Sequence, residues 1–284
     1  PPPPPPPHPP PRLSSAASDV YKRQAQNRSI VMAVIGMGIG ASFLLSMMIA
    51  VPLSTLLGLN GMFWLTAGFA ILGMLLVLSL PGKGETGDDD LQESGHSATI
   101  LPFAISVFLL HAVMTLLFVV LPGMLVKQFD FELAHHWRLY VPAMLGSVVL
   151  VFPLLRRISV RNQDYEALPL AFLVMGITLG LMSVGWSVAA MLVFSMGFFL
   201  AFNLLEAAMP SMVSRLTGTS GRGRKMGMYT TFQFLGAFAG GACGGWLLGS
   251  SGEVVTLSVA GSFCALWAVA MKLWFRQVQK PAQT

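Results

Sequence analysis

ILPFAISVFLLHAVMTLLFVVLP, residues 100–122, holds one histidine and no aspartate, glutamate, lysine or arginine. A helix crossing the hydrocarbon core of a bilayer needs about 20 apolar residues. In that medium every backbone N–H and C=O must find its partner inside the segment, so a run of this length and composition reads as a membrane-spanning helix. Seven further runs share the pattern, placing crossings at about 31–57, 60–80, 100–122, 138–156, 167–184, 188–210, 226–249 and 255–275. The residue-by-residue alternation that a membrane β-barrel needs is missing from them. The chain is expected to be an all-α membrane protein with eight crossings.

Composition agrees. The chain is 54% hydrophobic and 10% charged, where soluble domains carry about 25% charged residues. Its net charge of +5 would suit a nucleic-acid partner only if the cations formed a patch. They sit instead in short turns between apolar runs, which excludes that class. Lys22, Arg23, Arg28, Lys83, Arg156, Arg157, Arg161, Arg215, Arg222, Arg224, Lys225, Lys272, Arg276 and Lys280 fall in one set of turns, and only Lys127 and Arg138 in the other. Basic turns stay in the cytoplasm, so both ends of the chain are expected on the cytoplasmic side of the membrane. Cys243 and Cys264 lie inside apolar runs, where small buried thiols are at home and no disulfide or metal site is expected.

The chain divides by composition. Residues 1–24 open with PPPPPPPHPPPRL, a low-complexity tract that can pack no core. They read as a non-native segment; the competing reading is a proline-rich arm that recruits partners. Residues 25–80 hold two crossings. Residues 81–99, including PGKGETGDDDLQESGHS, are polar, acidic and Gly-rich and read as a cytoplasmic linker. Residues 100–276 hold six crossings, and 277–284 form a tail. Two helices before such a linker and six after it suggest four more upstream.

Three stretches carry a family likeness: Gly197 to Gly249 (GFFLAFNLLEAAMPSMVSRLTGTSGRGRKMGMYTTFQFLGAFAGGACGGWLLG), Leu121 to Leu145 (LPGMLVKQFDFELAHHWRLYVPAML) and Leu59 to Leu76 (LNGMFWLTAGFAILGMLL). The chain resembles the second half of a major facilitator superfamily transporter with the last two helices of the first half, nearest the YajR-type branch of drug–proton antiporter-like transporters. The resemblance implies twelve helices in two six-helix halves around a central cavity, with this chain supplying helices five to twelve. It departs from the antiporter pattern in GMGIGASFLLSMMIAVP (Gly36 to Pro52), where Val51 stands before Pro52 in place of glycine.

Few polar residues interrupt the apolar runs. His111 lies mid-crossing with Thr115 one turn on. Ionisable groups at that depth face protein or water, and the family template puts this helix on the cavity wall. Substrate binding or proton coupling is one reading, a neutral histidine bonded to a neighbouring helix the other. Phe199, Asn203 and Glu206 share a helix face and could line the cavity. Alternatively Glu206, placed about a turn from the cytoplasmic end, pairs with Arg156 or Arg157 as a latch. Gly236, Gly240 and Gly244, with Gly36 and Gly40, form small-residue faces that allow close helix approach. The family template sets them at the interface between halves, where static packing and a sliding surface both fit. Tyr229, Thr230 and Gln233 form a polar patch at the start of a crossing. The adjacent His135 and His136 diverge and are not expected to hold metal.

No P-loop, nucleophile elbow or zinc spacing is present, so no enzyme activity and no cofactor are expected. The preferred reading is proton-coupled export of small amphipathic molecules by alternating access. Its expected partners are membrane lipids, a small-molecule substrate and protons, and the full-length protein is expected to be a monomer. A sugar or metabolite facilitator and a non-transporting scaffold or sensor are the alternatives.

Overall fold

The structure, a computed structural model, describes residues 15–79, 97–161, 163–216 and 222–278. They form six α-helices: α1 (Ser15–Leu78), α2 (Ser97–Phe129), α3 (Trp137–Arg161), α4 (Asp164–Met182), α5 (Val188–Leu216) and α6 (Arg222–Val278). A 3-10 turn, Leu133–His135, joins α2 to α3. Each of the six is long and apolar enough to cross a membrane. The chain separates into two compact units, Pro1–Gly73 and Met74–Thr284.

Six helices stand where eight crossings are expected, and two of the six are interrupted at a glycine. Gly58 (φ 64°, ψ 177°) interrupts α1 and Gly252 (φ 77°, ψ 179°) interrupts α6. A positive φ carries a steric penalty for residues with a Cβ and little for glycine. Each break falls between two expected crossings, so α1 and α6 each consist of two helical arms. The helix α1 starts at Ser15, ten residues inside the segment 1–24 that composition sets aside. Residues 1–14, most of the linker 81–99 including Asp88 to Asp90, and 279–284 of the tail lie outside the described residues.

Other helices also outrun the apolar patterns. The helix α2 continues through Pro122 to Phe129, since membrane helices accommodate a proline where local backbone and side-chain groups compensate. It ends where Asp130 takes φ 51° and the Phe131 N–H reaches back to the Leu125 carbonyl at 3.1 Å. Near Pro52 in α1, Ser54 Oγ donates to the Val51 carbonyl at 2.8 Å and Thr55 Oγ1 to the Pro52 carbonyl at 2.7 Å. Such back-bonding satisfies a hydroxyl inside its own helix. Ser106, Ser147, Thr178 and Thr256 in the second unit do the same.

Lipid tails are as apolar as leucine, so helices in a bilayer associate by close packing at small residues. The second unit is built on such contacts. Gly236, Gly240 and Gly244 of α6 abut Phe108, Ala112 and Leu116 of α2. Both series advance by four residues, so α2 and the first arm of α6 run parallel. On the second arm, a Cβ at Gly261 would stand 2.7 Å from the Gly176 carbonyl oxygen of α4, and one at Gly176 2.6 Å from that of Gly261. Gly146 of α3 faces Met196 of α5, and Gly197 of α5 faces Thr178 of α4. The apolar centre then closes around Phe103, Leu110, Leu117, Leu121, Met124, Phe172, Met175 and Phe198, all fully buried. Ser187 caps α5, accepting from the Ala190 N–H at 3.2 Å.

Candidate functional site

The glycine contacts between α2 and α6 bring their few polar residues together. His111 of α2 is buried. Its Nδ1 lies 3.1 Å from the Val107 carbonyl oxygen, and its Nε2 lies 2.8 Å from Gln233 Nε2 of α6. A carbonyl only accepts and an amide nitrogen only donates. Nδ1 therefore carries the proton, and the Nε2 lone pair accepts from Gln233. The same amide nitrogen donates to Glu206 Oε1 of α5 at 3.3 Å, which makes Gln233 a bridge between histidine and carboxylate. The other carboxylate oxygen, Oε2, is 3.7 Å from His111 Nε2 and has no hydrogen-bond partner despite being buried.

Aromatic groups enclose this cluster. Phe202 meets the His111 ring edge-on at 5.6 Å. Tyr229, one turn before Gln233, is buried within electrostatic reach of Glu206 and its hydroxyl has no partner. A second polar contact lies further along α5, where Asn203 Nδ2 donates to Ser147 Oγ of α3 at 2.9 Å and that hydroxyl donates to the Met144 carbonyl at 2.7 Å. Two helix-to-helix polar links thus converge on α5.

The expected residues separate into those the structure joins and those it does not. His111 and Glu206 stand together, and Asn203 bonds a neighbouring helix. Thr115 donates to its own helix, to the His111 carbonyl at 2.9 Å, so its hydroxyl proton is held by backbone. Phe199 is buried beside Phe118 and Phe198, away from the polar cluster. Glu206 lies ten residues before the last residue of α5, well inside the helix. Among the described residues it makes no ion pair with Arg156 or Arg157; Arg157 instead borders a cavity of about 350 Å³ with Gln163 and Glu166. The face of Gly236, Gly240 and Gly244 is filled by α2, so these glycines pack inside their own unit. Gly36 and Gly40 are helical, and their surroundings lie outside the described residues. Sequence reasoning noted Tyr229 and Gln233 as a patch but did not join them to His111, and it passed over Ser147. The available signal was the spacing of Tyr229 and Gln233, four apart on one face of a helix.

A multi-pass helical membrane protein with a histidine–carboxylate cluster among its helices is the class these features define. The sequence matches the Major Facilitator Superfamily over residues 11–211. It is 30% identical over 256 residues to the inner membrane transport protein YajR of Escherichia coli (strain K12), covering 85% of this chain and 55% of that protein. Uncharacterized transporters of Buchnera aphidicola, from subspecies Acyrthosiphon pisum (strain APS) and Baizongia pistaciae (strain Bp), are each 25% identical over 237 and 233 residues, covering 78% of this chain and 59% of each relative. The chain belongs to the major facilitator superfamily. It spans between half and three-fifths of the length of these relatives.

Proposed function

We propose that the chain is part of a secondary active transporter of the inner membrane, which exports small amphipathic molecules by alternating access and draws on the proton gradient. In this reading the two arms of α1 and the two of α6 each cross the bilayer, for eight crossings in all. The carrying observation is the His111–Gln233–Glu206 cluster. As it stands, His111 Nε2 is an acceptor. A proton arriving there turns it into a donor facing the Gln233 amide nitrogen, also a donor. That contact must break, and the unpartnered Glu206 Oε2, 3.7 Å away, is placed to receive the new N–H. Protonation therefore exchanges a bridge from α2 to α6 for a charged contact from α2 to α5. A proton that changes which helices are bonded biases a conformational equilibrium, as coupling requires.

Inverted vesicles holding the full-length protein provide the test. An imposed proton gradient should drive uptake of a fluorescent lipophilic cation, a protonophore should stop it, and His111→Gln should uncouple it. Uptake indifferent to the protonophore refutes the proton coupling.

A further inference from the structure

A second cavity, of about 560 Å³, opens between the start of α4 and the end of α6. Its volume lies within the range of about 300–1,000 Å³ usual for small-molecule sites. Two kinds of wall meet in it. One is apolar: Leu173 of α4 and Val269 of α6 line it with exposed side chains. The other is ionic: Lys272 and Arg276, one turn apart on α6, and Glu166 on α4, beside the phenol ring of Tyr165. All three charged side chains are exposed, and among the described residues none forms an ion pair although they share one cavity. The cavity lies at the end of the unit where Arg156, Arg157 and Arg161 close α3, the end that carries the basic turns.

We propose that this groove binds a phospholipid of the surrounding leaflet, and that the lipid is phosphatidylethanolamine. Two cations and one carboxylate match a headgroup that carries a phosphate and an ammonium. Lys272 and Arg276 take the phosphodiester, the arginine through paired N–H donors that suit phosphate oxygens. Glu166 takes the ammonium, and an acyl chain lies along Leu173 and Val269. Phosphatidylglycerol would satisfy the cations but offers Glu166 only hydroxyls, so the carboxylate is the source of selectivity. The site is independent of the polar cluster at His111 and of the transport reading; it requires only that the chain sits in a bilayer.

Native mass spectrometry of the purified chain tests this, with equimolar phosphatidylethanolamine and phosphatidylglycerol supplied in detergent. The wild type should retain the ethanolamine lipid in preference. K272Q/R276Q should weaken its retention about thirtyfold, as expected for two interfacial cations. Glu166→Gln should erase the preference while phosphatidylglycerol is still held. Val269→Trp, at an exposed apolar position, should displace the lipid by filling the groove, with helicity and unfolding temperature verifying that each variant is folded. Equal retention of both lipids by the wild type, unchanged retention in folded K272Q/R276Q, or a preference that survives Glu166→Gln would each overturn the assignment. So would soluble phosphoethanolamine bound as tightly as the lipid, since the apolar wall would then contribute nothing.

Discussion

Replacing Gly240 by alanine tests the packing of α2 against α6. A Cβ built there collides with the carbonyl oxygen of Ala112, a backbone atom that no side-chain rotation can move away. Non-bonded atoms at rest stand about 3.5–4.0 Å apart, so the helices must separate locally by roughly an ångström or more, and a gap of that size forfeits about a quarter to a half of each dispersion contact it opens. Overpacking of this kind costs about 1–3 kcal/mol. Alanine's better helix propensity returns about 1 kcal/mol at most. Gly245 supplies the control. It lies on the same arm of the same helix, and a Cβ there meets nothing within 4 Å. Gly245→Ala should therefore be neutral or stabilising by up to about 1 kcal/mol, which sets the two variants about 2 kcal/mol apart. Both substitutions are glycine to alanine, so differences in detergent binding and unfolded-chain entropy largely cancel. The assay is reversible unfolding of the purified chain in mixed micelles with rising SDS, followed by helical circular dichroism. Gly240→Ala matching or exceeding Gly245→Ala in stability would refute the claim that backbone contact at the glycine face holds these helices together.

Further outcomes follow from the polar contacts. Gln233→Leu leaves His111 Nε2 and Glu206 Oε1 without their shared donor and should destabilise by about 1–3 kcal/mol in the same SDS titration; in a His111→Phe background the loss should shrink, and simple additivity would count against the bridge. Asn203→Ala removes the link to Ser147 and should cost about 1 kcal/mol, with Ser147→Ala costing no more when Asn203 is already gone. The Lys127 ammonium, near the end of α2, donates to Glu253 at 3.0 Å. Glu253 stands beside the Gly252 break, outside the apolar arms, and its carboxyl is held below the ordinary range first by its own backbone N–H and then by Lys127. A depressed carboxyl stabilises the fold above its unfolded-state value, and the effect is lost as pH falls through the folded value. Lys127→Gln should thus weaken the chain by less than about 1 kcal/mol, since the lysine is largely exposed. That deficit should vanish in acid or high salt, and a deficit that persists at low pH would show that charge is not its source.

Legibility from sequence followed the range of each interaction. The helices were readable because length and hydropathy report directly on the solvent that a segment must face. Their ends were not. Crossings expected to close at Pro122 and Pro210 continue to Phe129 and Leu216, because proline inside a membrane helix is compensated locally and does not terminate it. Gly58 and Gly252 are two glycines among 29, and the one-letter pattern does not separate a positive-φ hinge from a packing contact such as Gly240. At the site, burial marked His111 and Glu206 as costly and hence interesting. Gln233 was legible only as part of a polar patch, because a neutral amide gives no sign of its partners until another helix approaches it. The roles expected of Thr115 and Phe199 rested on helical spacing alone, which places side chains on a face without saying whether a backbone carbonyl or an aromatic cluster already occupies them.

The packing and the polar cluster are parts of one device, and that connection yields the last prediction. Phe108 rests on Gly236 and Ala112 on Gly240, while His111 directly precedes Ala112 and Gln233 comes three residues before Gly236. The glycine rungs therefore set both the separation and the register at which histidine and glutamine meet at 2.8 Å. A hydrogen bond tolerates little: N···N or N···O separations beyond about 3.5 Å no longer qualify. The ångström of separation imposed by a single methyl at Gly236 would accordingly release the bridge without touching any polar atom. On the proposed coupling, Gln233→Leu should uncouple uptake in the vesicle assay, Gly236→Ala should do the same, and combining the two should change little more. Gly245→Ala should transport as the wild type does. If Gly236→Ala lowered stability yet left proton-driven uptake intact, the close approach of α2 and α6 would be scaffolding alone, and the coupling assigned to Gln233 would have to reside elsewhere.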